Sequence, residues 1–319
     1  MMSQSHYFEP NANRPVVGRF APSPTGRMHA GNIYAALSAW LVAKSQGGTI
    51  VLRIEDLDRD RSKAEYISAV QRDFELLGLT WDHGPFFQHD RDEAYLEAFS
   101  ALERRGLVYP CFCTRADLHA ASAPHRGEKF VYPGTCRGLT AEQIAEKSMR
   151  RAPAQRLRVP DAAYSFEDMV QGRYEQNLAH DCGDFLIRRS DQAFAYQLAV
   201  VVDDAAQGVT SIVRGVDLLC STPQQLYLQE LLGLDHPRYA HIPLLVAEKN
   251  RRLSKRDHDA GIEELLARFK TPAAIIGHIA GICGLAPTCD PATPEQLLAT
   301  FDVARLPELF GDPVQIAWR

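Results

Sequence analysis

Short apolar-rich runs at residues 16–20 and 49–54 flank a stretch, residues 30–45, whose apolar positions repeat at helical spacing. The pattern predicts a strand, a helix and a second strand, with Gly47 and Gly48 turning the chain before the second strand. A right-handed β-α-β crossover of this kind has parallel strands and receives ligands at their carboxyl ends. Amphipathic spacing predicts further helices over 64–77 and 90–105, stopped by Gly78 and Gly106. From 109 to about 181 the pattern breaks into cysteines, prolines and short elements, as in an inserted domain. It then resumes with an apolar run at 195–203, a strand at 208–214, a helix at 222–232 opened by Thr-Pro and a strand at 239–246. Helical segments at 262–269, 272–283 and 294–301 complete the chain. The expected organisation is a first α/β half (14–108), an insert (109–183), a second α/β half (184–258) and a short helical C-terminal part (259–319).

The turn between the first strand and helix carries the first chemistry. Gly31 allows close backbone approach, and the helix behind it offers unpaired N–H groups and a positive dipole end to phosphate. His29 adds a hydrogen bond or positive charge there. Arg251-Arg252-Leu253-Ser254-Lys255-Arg256 forms a basic loop after the last strand, and Glu55 closes the second strand within an acidic run. Cys111-x-Cys113 and, across a loop, Cys136 supply three corners of a zinc tetrahedron. Tyr132 can supply an oxygen as the fourth, while His119 and His125 in the intervening loop are chemically easier ligands.

Composition narrows the classes. With 319 residues, 45% of them hydrophobic and 24% charged, the chain can bury a sizeable core and is not disordered. No apolar run is long enough to cross a bilayer, and residues 1–15 lack a secretion signal's apolar core, so cytoplasmic residence without a membrane partner is expected. Seven cysteines, three of them within 111–136, fit a reducing compartment better than a disulfide framework. Cys182, Cys220, Cys283 and Cys289 read as packing residues. At a net charge of −5, a nucleic acid must be met by local patches, either Arg150, Arg151, Arg156 and Arg158, or Arg251, Arg252, Lys255 and Arg256.

Several of these strings resemble one family. His29-Ala30-Gly31-Asn32 resembles the HIGH signature of class I aminoacyl-tRNA synthetases, with Asn32 at the place of the second histidine. Arg19-Phe20-Ala21-Pro22-Ser23-Pro24-Thr25-Gly26 resembles the glutamate-specific branch, and the basic loop resembles KMSKS, with Lys255 on the motif's second lysine. The resemblance implies a Rossmann-type parallel sheet with a zinc-containing insert. It implies an ATP site of His29, Gly31, Asn32, Ser254 and Lys255, with His29 and Lys255 catalytic and magnesium accompanying ATP. It also implies a glutamate pocket of Arg19, Phe20, Ala21, Pro22, Ser23, Glu55, Tyr196 and Arg214. Glutamate's two carboxylates call for cations, and its ammonium calls for an acid such as Glu55. Cys111, Cys113, Tyr132 and Cys136 match the Cys-x-Cys…Tyr-x-x-x-Cys zinc pattern of a truncated branch, the glutamyl-queuosine tRNA(Asp) synthetases.

About sixty residues follow Lys255, too few for a two-part helical anticodon-binding region. The resemblance therefore implies an enzyme that activates L-glutamate with ATP and esterifies queuosine in tRNA(Asp); a monomer is expected. Two other readings use the same residues: a short glutamyl-tRNA synthetase charging tRNA(Glu), and a non-catalytic paralogue that binds glutamate or a nucleotide.

Overall fold

The computed structural model describes residues 4–11, 13–114, 117, 131–247, 251–252, 261–310 and 315–318. The first part of the chain forms β1 (Gln4–Phe8), β2 (Val17–Phe20), α1 (Ala30–Lys44), β3 (Thr49–Ile54), α2 (Ala64–Leu76), β4 (His83–Phe87) and α3 (Asp92–Arg104). Strands β2, β3 and β4 pair in parallel, with Gly18 opposite Ile50 and Val51 opposite His83. Strand β4 is not marked by its own pattern, because His83 and Gly84 are exposed and only Pro85 and Phe87 are partly covered.

Next come β5 (Val108–Cys111), α4 (Ala141–Ser148), β6 (Ala154–Leu157), β7 (Ala162–Asp168), β8 (Gly172–Asn177) and β9 (Phe185–Arg188). Strands β5, β6 and β9 make a small antiparallel sheet. Strands β7 and β8 form a hairpin instead, and β7 joins the larger sheet.

The second α/β part holds α5 (Tyr196–Ala206), β10 (Ser211–Gly215), α6 (Thr222–Leu232), β11 (Arg238–Ile242), β12 (Leu244–Ala247) and β13 (Arg251–Arg252). The larger sheet runs β1-β7-β11-β10, with β8 on the side of β7. The apolar run at 195–203 is the helix α5. The single strand expected over 239–246 is divided into β11 and β12 at Pro243, whose missing N–H interrupts a ladder.

Strands β2 and β10 lie side by side. Thr210 N–H donates to the Val17 carbonyl at 2.9 Å, Val17 N–H donates to Thr210 Oγ1 at 2.9 Å, and Arg19 Nη1 donates to the Val213 carbonyl at 3.1 Å. A crevice therefore opens at the carboxyl ends of β2 and β10, the switch point where open α/β sheets bind ligands.

The C-terminal part comprises α7 (Ile262–Phe269), α8 (Pro272–Ile282), α9 (Pro294–Leu298), α10 (Leu306–Phe310) and β14 (Gln315–Ala317), which pairs in parallel with β12. Its apolar side covers α1. That helix is apolar on nearly every side because it is sandwiched, with Ile33, Leu37 and Leu41 fully buried. Truncating one of these to alanine costs about 2–5 kcal/mol. Cys283 belongs to this core, whereas Cys289 is exposed, with its sulfur against Gly281. Among the described residues no helix is long and apolar enough to cross a membrane.

Candidate active site

One cavity of about 410 Å³ sits in the β2/β10 crevice, and Arg19, Phe20, Ala21, Pro22, Ser23, Glu55, Tyr196 and Arg214 all line it. Local structure explains the gathering. Residues 19–23 leave the end of β2, Glu55 follows β3, Tyr196 opens α5 and Arg214 is the penultimate residue of β10. Glu55 N–H donates to the Pro22 carbonyl at 3.0 Å, which fixes the end of β3 against the 19–23 segment.

The cavity floor is ionic. Arg53, wholly buried, donates through Nη1 to Asp204 Oδ1 at 2.7 Å and through Nη2 to Glu55 Oε1 at 3.3 Å. Arg19 Nε lies 3.7 Å from the same Asp204 oxygen. Burial lowers the Arg19 pKa while Asp204 opposes it. Burial also works against the Arg53 charge, but Asp204, Glu55 and Asp203 outweigh it and the pKa rises. Burial raises the pKa of Glu55, against the pull of Arg53 and Arg19. A ligand ammonium beside Glu55 would therefore supply counter-charge where desolvation leaves the carboxylate short of it. Burial likewise raises the Tyr196 hydroxyl, keeping it a neutral donor.

A second cavity of about 270 Å³, lined by His29, Gly31, Asn32, Asp217 and Leu244 among others, shares Asn32, Ala35 and Gly215 with the first. His29 is the N-cap of α1, and Asn32 Oδ1 accepts its backbone N–H at 3.1 Å. Asn32 thus closes the first turn in the place of the signature's second histidine. A Cβ at Gly31 would lie 3.1 Å from the His29 ring, so a larger residue would crowd that ring. Ser254 and Lys255 lie outside the described residues, as do His119 and His125. Both flanks of 253–260 are near this cavity: β13 pairs with β12, which carries Leu244 and Leu245, and Gly261 bridges His29. Arg27 Nη1 also donates to Glu263 Oε1 at 2.7 Å.

The cysteines converge as their spacing anticipates. The sulfurs of Cys111, Cys113 and Cys136 all lie within 4.8 Å of one another, with Cys113 and Cys136 3.7 Å apart. Tyr132 Oη lies 3.5 Å from Cys111 Sγ and 3.8 Å from Cys113 Sγ, and accepts the Cys136 N–H at 2.9 Å. Arg156 was expected on a basic surface patch. It is buried instead, its Nε donating to Cys111 Sγ at 3.2 Å and its guanidinium lying 3.6 Å over the Tyr132 ring. Arg156 and its neighbour Leu157 are both buried at the end of β6, where Arg156 Nη1 also donates to the Asp184 carbonyl at 2.6 Å; Arg150 and Arg151 remain exposed. Burial pushes the Cys111 thiol up, but hydrogen bonds from Arg156 and Tyr132 bring it below its ordinary value.

The family description "tRNA synthetases class I (E and Q), catalytic domain" matches residues 15–283, which span both halves of the crevice. The chain belongs to this family. A Glutamyl-Q tRNA(Asp) synthetase from Nitratidesulfovibrio vulgaris is 44% identical over 303 residues, covering 92% of this chain and 94% of that relative. Another from Symbiobacterium thermophilum is 42% identical over 315 residues, covering 94% and 96%. Among solved structures, a glutamate tRNA ligase from Elizabethkingia meningosepticum, in complex with its amino acid, superposes with a TM-score of 0.79 at 25% identity. It is covered over 67% of its length by 95% of this chain.

In this class I synthetase, sequence reasoning missed the residues beneath the pocket. Arg53 is a buried charge in a run read as plain strand, and Asp203 and Asp204 are buried charges at and just after the end of the apolar run. Tyr196 and the two aspartates lie seven and eight positions apart on α5, a helical spacing that places them on one face. His241 and Asp168 are the other omission. Arg214 Nε donates to His241 Nε2 at 2.9 Å, and the other ring nitrogen of His241 lies 2.5 Å from Asp168 Oδ2.

Proposed function

We propose that this chain activates L-glutamate with ATP to form glutamyl-adenylate and transfers the glutamyl group to queuosine at the wobble position of tRNA(Asp). The observation that carries the reading is a single cavity walled by two buried guanidiniums and one mostly buried carboxylate, beside a helix N-terminus. That charge pattern complements glutamate, which has two carboxylates and one ammonium. Its relatives' names supply the acceptor, and the cytoplasm is where this tRNA would be met.

In this reading Arg19 and Arg214 receive the two carboxylates and Glu55 receives the ammonium, while Tyr196 and Ser23 add hydroxyls at the wall and rim. ATP, with magnesium, lies across His29, Gly31 and Asn32 with its phosphates toward the α1 N-terminus. The glutamate carboxylate attacks the α-phosphorus in line, a bond to oxygen forms and pyrophosphate leaves. His29, Ser254 and Lys255 stabilise the charge that develops on the phosphates. Adjoining cavities that share Asn32 and Gly215 hold both reactants within reach, so positioning supplies much of the rate. A queuosine hydroxyl then attacks the mixed anhydride and AMP leaves.

The insert fits one structural zinc. Zn–S bonds of about 2.3 Å in a tetrahedron place sulfurs about 3.8 Å apart and an oxygen ligand about 3.5 Å from each sulfur. The observed 3.7 Å between Cys113 and Cys136 and 3.5 Å from Tyr132 Oη to Cys111 agree with that. Zinc held by Cys111, Cys113, Cys136 and Tyr132 would staple a local cluster in which, among the described residues, four apolar side chains are buried.

The test is ATP–pyrophosphate exchange without tRNA. Glutamate should support it and glutamine should not, by about 10⁴-fold or more, because a site built around a polar partner rejects the analogue lacking it. Comparable exchange with both amino acids would overturn the reading.

A further inference from the structure

We propose that Asp168 and His241, neither of which lines the glutamate cavity, are positioning residues that set the guanidinium of Arg214 and thereby its grip on the substrate carboxylate. The inference rests on the pocket reading above.

Arg214 and His241 face each other in the parallel β10/β11 ladder, so their side chains leave the sheet on the same face. Two of the three Arg214 nitrogens are already engaged: Nε with His241 Nε2 at 2.9 Å and Nη2 with Thr222 Oγ1 at 2.8 Å. Nη1 is buried and has no hydrogen-bond partner among the described residues. The side edge of the planar fork is clamped, and the remaining donor is left for a ligand at the cavity wall. With Arg214 only 5% exposed, no solvent shell competes for that donor.

An arginine Nε–H can only donate, so His241 Nε2 must be an acceptor, and the ring proton must sit on Nδ1. Asp168 enforces that tautomer. Its Oδ2 lies 2.5 Å from Nδ1, while its Oδ1 accepts the backbone N–H groups of Val170, Gln171 and His241 at 3.0, 2.9 and 3.1 Å. Three donors on one oxygen fix the carboxylate's rotation. Asp168 and His241 are both buried, so the chain from carboxylate through imidazole to guanidinium is shielded from water and each bond polarises the next. Burial also holds the His241 pKa down to about 4, which keeps the ring a neutral acceptor at physiological pH.

The geometry yields a specific reversal. In Asp168→Asn the amide oxygen must occupy the Oδ1 position, because three N–H groups need an acceptor there. The amide NH2 is then turned toward His241 Nδ1 and donates to it. The ring proton moves to Nε2, where it meets the Arg214 Nε–H donor to donor, and the clamp is broken with almost no change in shape.

The experiment measures glutamate and ATP KM values by pyrophosphate exchange, alongside the ¹⁵N chemical shifts of the His241 ring. Wild-type enzyme should show the Nδ1–H tautomer, and Asp168→Asn the Nε2–H tautomer. The variant's glutamate KM should rise about 10- to 100-fold, the range of a lost hydrogen bond to a charged group, with the ATP KM unchanged. A switched tautomer with a wild-type glutamate KM, or a wild-type ring already protonated on Nε2, would overturn the proposal. If Asp168→Asn fails to fold, His241→Gln, which keeps an oxygen acceptor toward Arg214, should retain more glutamate affinity than His241→Leu. Equal glutamate KM values in that pair would overturn it too. Arg214→Ala separates the two levels: an unchanged glutamate KM in that variant would overturn the pocket reading itself.

Discussion

Arg53 and Asp204 meet inside the protein, Nη1 to Oδ1 at 2.7 Å, with side chains only 0% and 6% exposed. This pair holds two site residues at once, since Glu55 hangs from Arg53 and Arg19 leans on Asp204. Removing one partner leaves an uncompensated charge in a desolvated place. Arg53→Met should therefore cost about 3–5 kcal/mol in urea denaturation, more than its lost hydrogen bonds alone. A loss below about 1 kcal/mol would mean that the cluster is solvated and does not brace the pocket.

Much of the pocket was legible in the sequence, and the bracing beneath it was not. Arg19, Ser23, Glu55, Tyr196 and Arg214 sit in strings whose residue types state their chemistry. Arg53 sits in a strand and Asp204 follows the end of an apolar run, where a charge reads as a surface position until its partner is known. That partner is 151 residues away. His241 lies within an apolar strand and Asp168 within the stretch read as insert, yet β7 carries Asp168 to β11 through the Asp168–Tyr239 register pair. Local pattern cannot report such a meeting. Strand β1 was hidden for a similar reason, because it is a polar-looking edge that gains its identity only from pairing with β7.

The loop lysine offers a second prediction. Lys255→Ala should lower the glutamate activation rate by about 10²–10³ while altering glutamate binding little, as expected for a charge that acts mainly in the transition state. Pre-steady-state adenylate formation measures it. A wild-type rate would detach this loop from the KMSKS role.

For the thiol cluster, metal analysis of purified protein should find about one zinc per chain, and chelation should expose the insert to protease before the Rossmann core. Tyr132→Phe should weaken zinc retention in a chelator competition and change the coordination spectrum. If both stay unchanged, the fourth ligand is not Tyr132.

Stability should also depend on His241. Its folded pKa of about 4 lies below the ordinary 6.5, so the unfolded chain binds the proton more readily than the folded one. The stabilisation is complete above about pH 6.5 and is lost as pH falls toward about 4, by about 3 kcal/mol at most. Asp168 adds in the same direction at lower pH, its pKa being depressed by the His241 hydrogen bond in spite of burial. Denaturation across this window should show a shallower acid loss in His241→Gln than in wild type. Parallel slopes would contradict a buried neutral imidazole.

The most direct test of the whole account is transfer of radiolabelled glutamate, with ATP, to three acceptors: tRNA(Asp) bearing queuosine, tRNA(Asp) lacking it, and tRNA(Glu). The account predicts label on the queuosine-bearing tRNA(Asp) alone. Equal labelling of the two tRNA(Asp) forms, or label on tRNA(Glu), would contradict it.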